Sequence, residues 1–216
     1  MPGKAPEPVG MAILAKAPIA GQVKTRLVPA LGPEGAARLQ SALIARTVET
    51  ASRAGIGPVT LWTSLDPDHE VFTALAARFD VRLAHQHDGD LGARMLAAIA
   101  AGPTLVIGND CPALTPHHLR DAAAALRDGN DVVIIPAEDG GYVLIGMRRP
   151  QPAVFAAMRW SVPSVLAETR RRLAQCGLRA RELAALWDVD VPEDLRRLSQ
   201  PEFADLMLAI PGTQFR

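Results

Sequence analysis

Cysteine is nearly missing. Cys111 and Cys176 are the only two, too few for a disulfide scaffold and in no CxxC spacing. A reducing cytosol is the natural setting for such a chain. Net charge is missing too, because 23 Lys and Arg are matched by 23 Asp and Glu. Without a positive field, general binding to nucleic acid or to a membrane surface is not expected, and an anionic ligand must be met by a local cluster of charge. Long apolar runs are lacking. The longest uncharged stretch, Met95 to Asn109, is broken at Gly102-Pro103 and is too short to span a bilayer. Met1 to Gly10 is Pro-rich, carries Lys4 and Glu7, and has no apolar core of a signal peptide. There is no internal repeat and no low-complexity run. Neither GxxxxGK[ST] nor a GxGxxG after a strand occurs, which excludes a Walker loop and disfavours a nicotinamide dehydrogenase. Lysine is the last scarcity: Lys4, Lys16 and Lys24 stand among 23 basic residues, and the other 20 are Arg.

What is present is ordinary globular composition, 49% hydrophobic and 21% charged over 216 residues. That is enough chain for one sizeable core. One domain is expected over 9–216, behind a flexible tail at 1–8. Strands are predicted at Val9–Ala15, Val59–Thr63, Val81–Ala84, Thr104–Gly108, Val132–Ile135 and Tyr142–Met147, with a last one at Trp187–Val191. Helices are predicted at Pro33–Ala54, Asp68–Phe79, Gly92–Ala101, Pro116–Arg127 and Pro163–Cys176, the last stopped by Gly177. Pro192 suits the first position of a closing helix. This alternation predicts an α/β/α sandwich on a mostly parallel sheet, mixed after Gly140. Ligands of open α/β sheets collect beyond the carboxyl ends of the strands. The loops that start at Lys16, Gln86, Asn109, Pro136 and Asp188 are therefore the places to look.

The first loop, Lys16-Ala-Pro-Ile-Ala-Gly21-Gln-Val-Lys24-Thr25-Arg26-Leu27, holds two of the three lysines. Lysine is a compact charge suited to phosphate, and Gly21 lets backbone N–H groups approach an anion. The loop reads as a phosphate site or as a solvated basic turn. Asp110 ends an apolar strand at the ligand edge, as a functional carboxylate or as a turn residue before Pro112. In Trp187-Asp188-Val189-Asp190-Val191, an extended chain puts Asp188 and Asp190 on one face, roughly 6.6 Å apart at about 3.3 Å per residue. Like charges at that spacing repel by about 2–3 kcal/mol at an effective dielectric near 20. A hard cation, Mg²⁺ or Mn²⁺, with phosphates completing its shell, would reverse that cost. The alternative is that one Asp caps the Pro192 helix and the other is solvated. Glu138-Asp139-Gly140-Gly141 is an acidic turn that could receive an acceptor or lie at the surface. Gly89-Asp90-Leu91-Gly92-Ala93-Arg94 opens a helix, where free N–H groups suit an anion or a base edge. His85 and His87 have no third His or Cys at a spacing that supports zinc. His117 and His118 read as surface, Arg170 to Arg172 as a solvated face. Trp160-Ser161 reads as packing or as the border of a pocket.

Taken in order, six stretches resemble one family: KAPIAGQVKTRL (16–27), GDLGARM (89–95), GNDCPALT (108–115), EDGGYVLIG (138–146), Trp160-Ser161 and DVDVPEDL (188–195). They are similar to GT-A-fold glycosyltransferase/nucleotidyltransferase-like proteins, specifically the bacterial radical-SAM/selenodomain-associated transferase 1 or arsenosugar-biosynthesis-type glycosyltransferase group. A more distant likeness is to 2-phospholactate guanylyltransferase and the molybdenum-cofactor nucleotidyltransferases. The resemblance implies a Mg²⁺- or Mn²⁺-dependent transferase of the cytoplasm that takes an NDP-sugar or NTP and a small-molecule acceptor. The alternative from another class is a nucleotide-binding protein without turnover. By resemblance, Lys24 and Arg26 sit on the phosphates with Lys16, Gly21 and Thr25 nearby. Asp110 and one of Asp188 and Asp190 hold the metal. Gly89, Asp90, Gly92 and Arg94 lie near the base or ribose, and Glu138, Asp139, Gly140 and Gly141 near the acceptor. Lys24, Arg26 and Asp110 are the expected catalytic residues. Asn109, Ala113 and Val191 depart from the family's usual Thr, Gly and Thr. The last removes a helix-capping hydroxyl, a loss of about 1 kcal/mol.

Overall fold

Successive side chains of the central strands enter opposite faces of the sheet, so each strand feeds two cores. In the computed structural model, which describes residues 7–100 and 102–210, Met11, Ile13 and Ala15 of β1 (Gly10–Lys16) face one side and Ala12 the other. The same split places Leu105 and Ile107 against Val106 in β4 (Thr104–Ile107). It also places Val133 and Ile135 against Val132 and Ile134 in β5 (Val132–Pro136). Strands this apolar on both faces need helices on both sides. One core is covered by α1 (Val28–Ala54), α2 (Glu70–Phe79) and α4 (Pro116–Arg127). The other is covered by α3 (Leu91–Ile99), α5 (Pro152–Phe155) and α6 (Val165–Gln175). The result is the expected α/β/α sandwich.

With β2 (Val59–Ser64), β3 (Arg82–His85), β6 (Tyr142–Met147) and β7 (Ala180–Glu182), the sheet has seven strands in the order β3-β2-β1-β4-β6-β5-β7. Only β6 runs against the others, pairing antiparallel with β4 and with β5. From β1 the chain winds outward through β2 to β3, then returns to place β4 on β1's other edge. β1 and β4 thus part at a topological switch point, where a crevice opens beyond their carboxyl ends.

Local rules explain the helix limits. Val28–Ala54 is interrupted at Gly32, whose φ of 69° and ψ of 165° are not helical, and Pro33 restarts it. The Thr115 hydroxyl and the Asp90 carboxylate cap α4 and α3. After α6, Gly177 adopts φ 64° and the Leu178 N–H returns to Leu173 O at 3.0 Å, a Schellman closure.

Two expectations are corrected. Trp187–Val191 is not a strand; a single parallel bridge joins Ala137 to Leu186, and the segment then leaves the sheet. Its alternation has a different cause. Trp187 and Val189 are buried against Leu39, Leu43, Leu195 and Phe203, in a third apolar cluster at the sheet's end. The closing helix is not α-helical at Pro192. Residues Pro192–Ser199 and Pro201–Phe203 form 3₁₀ turns, because Pro201 interrupts the ladder, and α7 follows at Ala204–Ala209. The edge strand β7 and the one-turn helix α5 were not anticipated. The expected tail at 1–8 falls mostly on residues outside the described set. No described helix is long and apolar enough to cross a membrane.

Candidate active site

Beyond β1 and β4 lies a cavity of about 520 Å³. One end is polar, formed by Lys16, Gln22, Lys24, Thr25, Gln40, Asn109 and Asp110. The other is largely apolar, formed by Leu14, Leu91, Met95, Val106, Tyr142, Ile145 and Trp160, with Arg94 and Gln86 between β1 and α3.

The polar end is built around Lys24. The residue is left-handed, φ 46° and ψ 40°, at the entry to a 3₁₀ turn, Thr25–Leu27. That conformation is uncommon for a side chain with a Cβ and clusters at functional sites. It turns the ammonium inward. The side chain is only 4% exposed, and Nζ meets Asp110 Oδ1 at 2.8 Å and donates to Val189 O at 2.5 Å. Asn109 Nδ2 donates to the same Asp110 oxygen at 3.0 Å and to Gln40 Oε1 at 3.3 Å. Gln40 Nε2, in turn, donates to Lys16 O at 3.2 Å. A chain of polar contacts therefore runs from the end of β1, through α1, to the end of β4. The Val189 N–H closes it by donating to Asp110 O at 2.8 Å. The Lys16 side chain is exposed, lines the cavity and forms no ion pair among the described residues.

Four carboxylates converge on this end. Burial pushes the Asp188 carboxyl up to about 7. Asp110, Asp139 and Asp190 push in the same direction, and Lys24 opposes them. Burial, with Asp188 next to it, also pushes the Cys111 thiol up to about 12, so this cysteine is an inert core residue. Asp190 does not share a free face with Asp188. Its carboxylate is paired with Arg26, and the Asp190 and Val191 N–H groups are capped by Asp194. Neither Asp188 nor Asp190 caps the Pro192 turn; Asp194 does.

Among the described residues no three His, Cys, Asp or Glu side chains are already gathered as a metal cluster. The donor set still fits a hard dication shared with ligand oxygens. Lys24 only partly offsets the burial and negative charge at Asp188, and both side-chain grips on Asp110 fall on Oδ1. Mg²⁺ and Mn²⁺ are commonly held by one or two carboxylates together with phosphates and water.

The apolar end rests on glycines. A Cβ at Gly92 would lie 2.8 Å from Phe155 Cβ and 2.9 Å from the Trp160 ring, so the glycine admits the indole. Gly140, at φ 91°, passes so close to Pro163 that a Cβ would meet its carbonyl oxygen at 2.1 Å. Gly140 O also accepts the Leu166 N–H at 2.9 Å. Gly140 therefore seats the segment that carries Trp160 and Ser161. Ser161 is itself left-handed, φ 60°. The Asp90 carboxyl is held below the usual range, first by the Ala93 N–H that it caps and then by the Trp160 indole. Gln86 Nε2 donates to Ala15 O and Trp62 O at the ends of β1 and β2, and its Oε1 takes Arg94 Nη1 at 3.3 Å.

Of the residues singled out from the sequence, Lys16, Lys24, Thr25, Arg94 and Asp110 line the cavity. Gly21, Gly89, Asp90 and Gly92 do not line it. Arg26 lies outside the lining, with Asp190. Glu138 also lies outside, gripped by Arg197 through two bonds of 2.7 and 3.1 Å, and Arg197 holds its carboxyl below the usual range. Asp139 accepts the Gly141 N–H at 2.9 Å. Gln22, Gln40, Gln86 and Asn109 were missed as site residues, because single amides carry no motif.

Residues 47–162, more than half of the chain, match a family described as "Uncharacterized protein conserved in bacteria (DUF2064)". The chain belongs to DUF2064. The DUF2064 match takes in Gln86, Arg94, Asp110 and Trp160, but not the Lys16–Lys24 loop or Asp188. A comparison with curated proteins gave no match. Solved structures resemble nearly the whole chain. A protein assigned as a nucleotide-diphospho-sugar transferase, from Desulfovibrio desulfuricans G20, is 25% identical, with a TM-score of 0.81, over 96% of this chain and 99% of its own. CMP:2-keto-3-deoxy-manno-octonic acid synthetase in complex with CTP is 16% identical, with a TM-score of 0.57, over 89% and 97%. Rv0371c from Mycobacterium tuberculosis H37Rv, in complex with manganese, is 18% identical, with a TM-score of 0.55, over 88% and 97%. These last two show a shared fold.

Proposed function

We propose that this DUF2064 chain is a metal-dependent transferase that takes a nucleotide-diphospho-sugar and passes the sugar to a small-molecule acceptor, as in the arsenosugar-type group it resembles. The observation that carries this reading is the meeting of Lys16, Lys24 and Asp110 at one end of a cavity whose other end is apolar and aromatic. Lys16 is the open cation for a diphosphate. Asp110 and Asp188 are the carboxylates to hold a dication, and Asp190, paired with Arg26, flanks them. When bound, the dication would neutralise the charge that develops on a departing diphosphate. Arg94, held by Gln86 and the Gly89 carbonyl, is set to orient the nucleoside. Trp160, Tyr142, Met95 and Leu91 offer a water-poor wall to an uncharged ring. Catalysis then rests on positioning and on electrostatic stabilisation of the leaving group, with the acceptor entering past the Trp160 segment.

A second reading has one observation in its favour. Two lysines of three stand in one loop, which suits a triphosphate, and in that case an acceptor phosphate or hydroxyl attacks the α-phosphorus and pyrophosphate leaves. Thermal unfolding with a panel of NDP-sugars and NTPs, each with Mg²⁺, separates the two. Stabilisation by an NDP-sugar beyond that given by the NDP alone supports sugar transfer. Stabilisation only by NTPs, with pyrophosphate released on adding acceptors, replaces it by nucleotidyl transfer. No stabilisation by any nucleotide removes both.

A further inference from the structure

Lys24 does not stand as a phosphate-binding residue does. Its side chain is 4% exposed, its ammonium is spent on Asp110 Oδ1 and Val189 O, and its backbone holds a left-handed conformation that aims it there. Asp110, by contrast, is 48% exposed, and its carboxylate faces the cavity. The pair is therefore one-sided: a buried cation holds a carboxylate that is open to ligands. Three more carboxylates bear on the same spot, and Lys24 is the cation that opposes them at Asp188. Lys16, eight residues earlier, is exposed and has no carboxylate partner among the described residues.

We infer that Lys24 is a stand-in cation, exchanged for a divalent metal when the site loads. It neutralises Asp110 and offsets the charge at Asp188. It is released when a dication takes the same carboxylate, because like charges crowded on one carboxyl repel strongly away from bulk water. The released ammonium is then the second lysine available to the phosphates, beside Lys16. Lys24 is thus a positioning residue before loading and a phosphate ligand after it, and metal precedes nucleotide. The inference rests on the metal-dependent reading above.

The chain's three lysines make the test clean. Native-state amine acylation read by mass spectrometry reports the access of Lys24, with exposed Lys16 as internal reference. Free Mn²⁺ is followed separately by electron paramagnetic resonance. Without metal, Lys16 labels and Lys24 is protected. With saturating Mn²⁺, Lys24 labelling rises several-fold and Lys16 is unchanged. Inorganic triphosphate added with Mn²⁺ protects both. Lys24→Met binds Mn²⁺ about tenfold more tightly, because a competing charge is gone, and Asp110→Asn exposes Lys24 without metal. Mn²⁺ bound while Lys24 stays protected overturns the exchange and leaves the metal reading standing. An absence of Mn²⁺ binding at millimolar metal overturns both. Lys24 labelled as readily as Lys16 before metal is added also overturns the exchange.

Discussion

The two ends of the cavity are held together by opposite means. The polar end depends on one ion pair, buried on its lysine side, and on amide and carbonyl relays contributed by β1, α1, the end of β4 and the chain at Val189. The apolar end depends on close backbone approach at Gly92 and Gly140, and on exposed ion pairs of α6. Glu168 takes Arg171 and Arg172 there, and Arg172 Nη1 donates to Val154 O and Ala156 O at the foot of the Trp160 segment. Charge is buried on the lysine side at the polar end, whereas at the apolar end packing is tight and the charges are wet. The two ends are therefore separable by substitution.

The largest effect is expected from Asp110→Asn. It strands the buried Lys24 with only the Val189 carbonyl, so stability should fall by about 2–3 kcal/mol in urea, and turnover should fall on the order of 10²–10³-fold. Lys24→Met should cost under about 1 kcal/mol, because Asp110 is half in water already. An equal cost for the two variants would refute the one-sided pair. Gly140→Ala should cost about 3 kcal/mol through its collision with Pro163 and its positive φ. Calorimetry should show a lowered Tm with Mn²⁺ affinity intact. Trp160→Ala should weaken NDP-sugar binding about tenfold, with little change for the free NDP, as isothermal titration would show.

The smallest effect concerns acid. Arg171 and Arg172 hold the Glu168 carboxyl down at about 2, against an ordinary 4.5. A lowered folded pKa adds stability above the ordinary value, and that stability is lost as pH falls from about 4.5 toward about 2. Glu168→Gln should flatten the urea midpoint across that window, and an unchanged slope would mean the pair adds nothing.

Much of this was legible in the sequence. Both-face apolar runs and spaced helical patterns located the sheet centre and helices α1 to α4. Lys16, Lys24 and Asp110 announced themselves by charge in segments that follow strands, Arg94 by charge at a helix start, and Thr25 by standing between Lys24 and Arg26. The edge strand β7 did not, because Ala180-Arg181-Glu182 is three residues long, exposed and charged. The Trp-Asp-Val-Asp-Val alternation rightly signalled one buried face, but that face meets the cluster at the sheet's end. Period two alone cannot tell a sheet from any other apolar floor. Gln40, Gln86 and Asn109 matter through partners 24 to 71 residues away, and no local pattern encodes such partners. The burial of Lys24 was equally hidden, since it depends on a carbonyl 165 positions later.

That long reach has a consequence for synthesis. The carbonyl at Val189 and the amide beneath it lie past the last strand of the sheet. A nascent chain that has already assembled all seven strands still lacks the clasp that seats Lys24, so the polar end closes only after the sheet is complete.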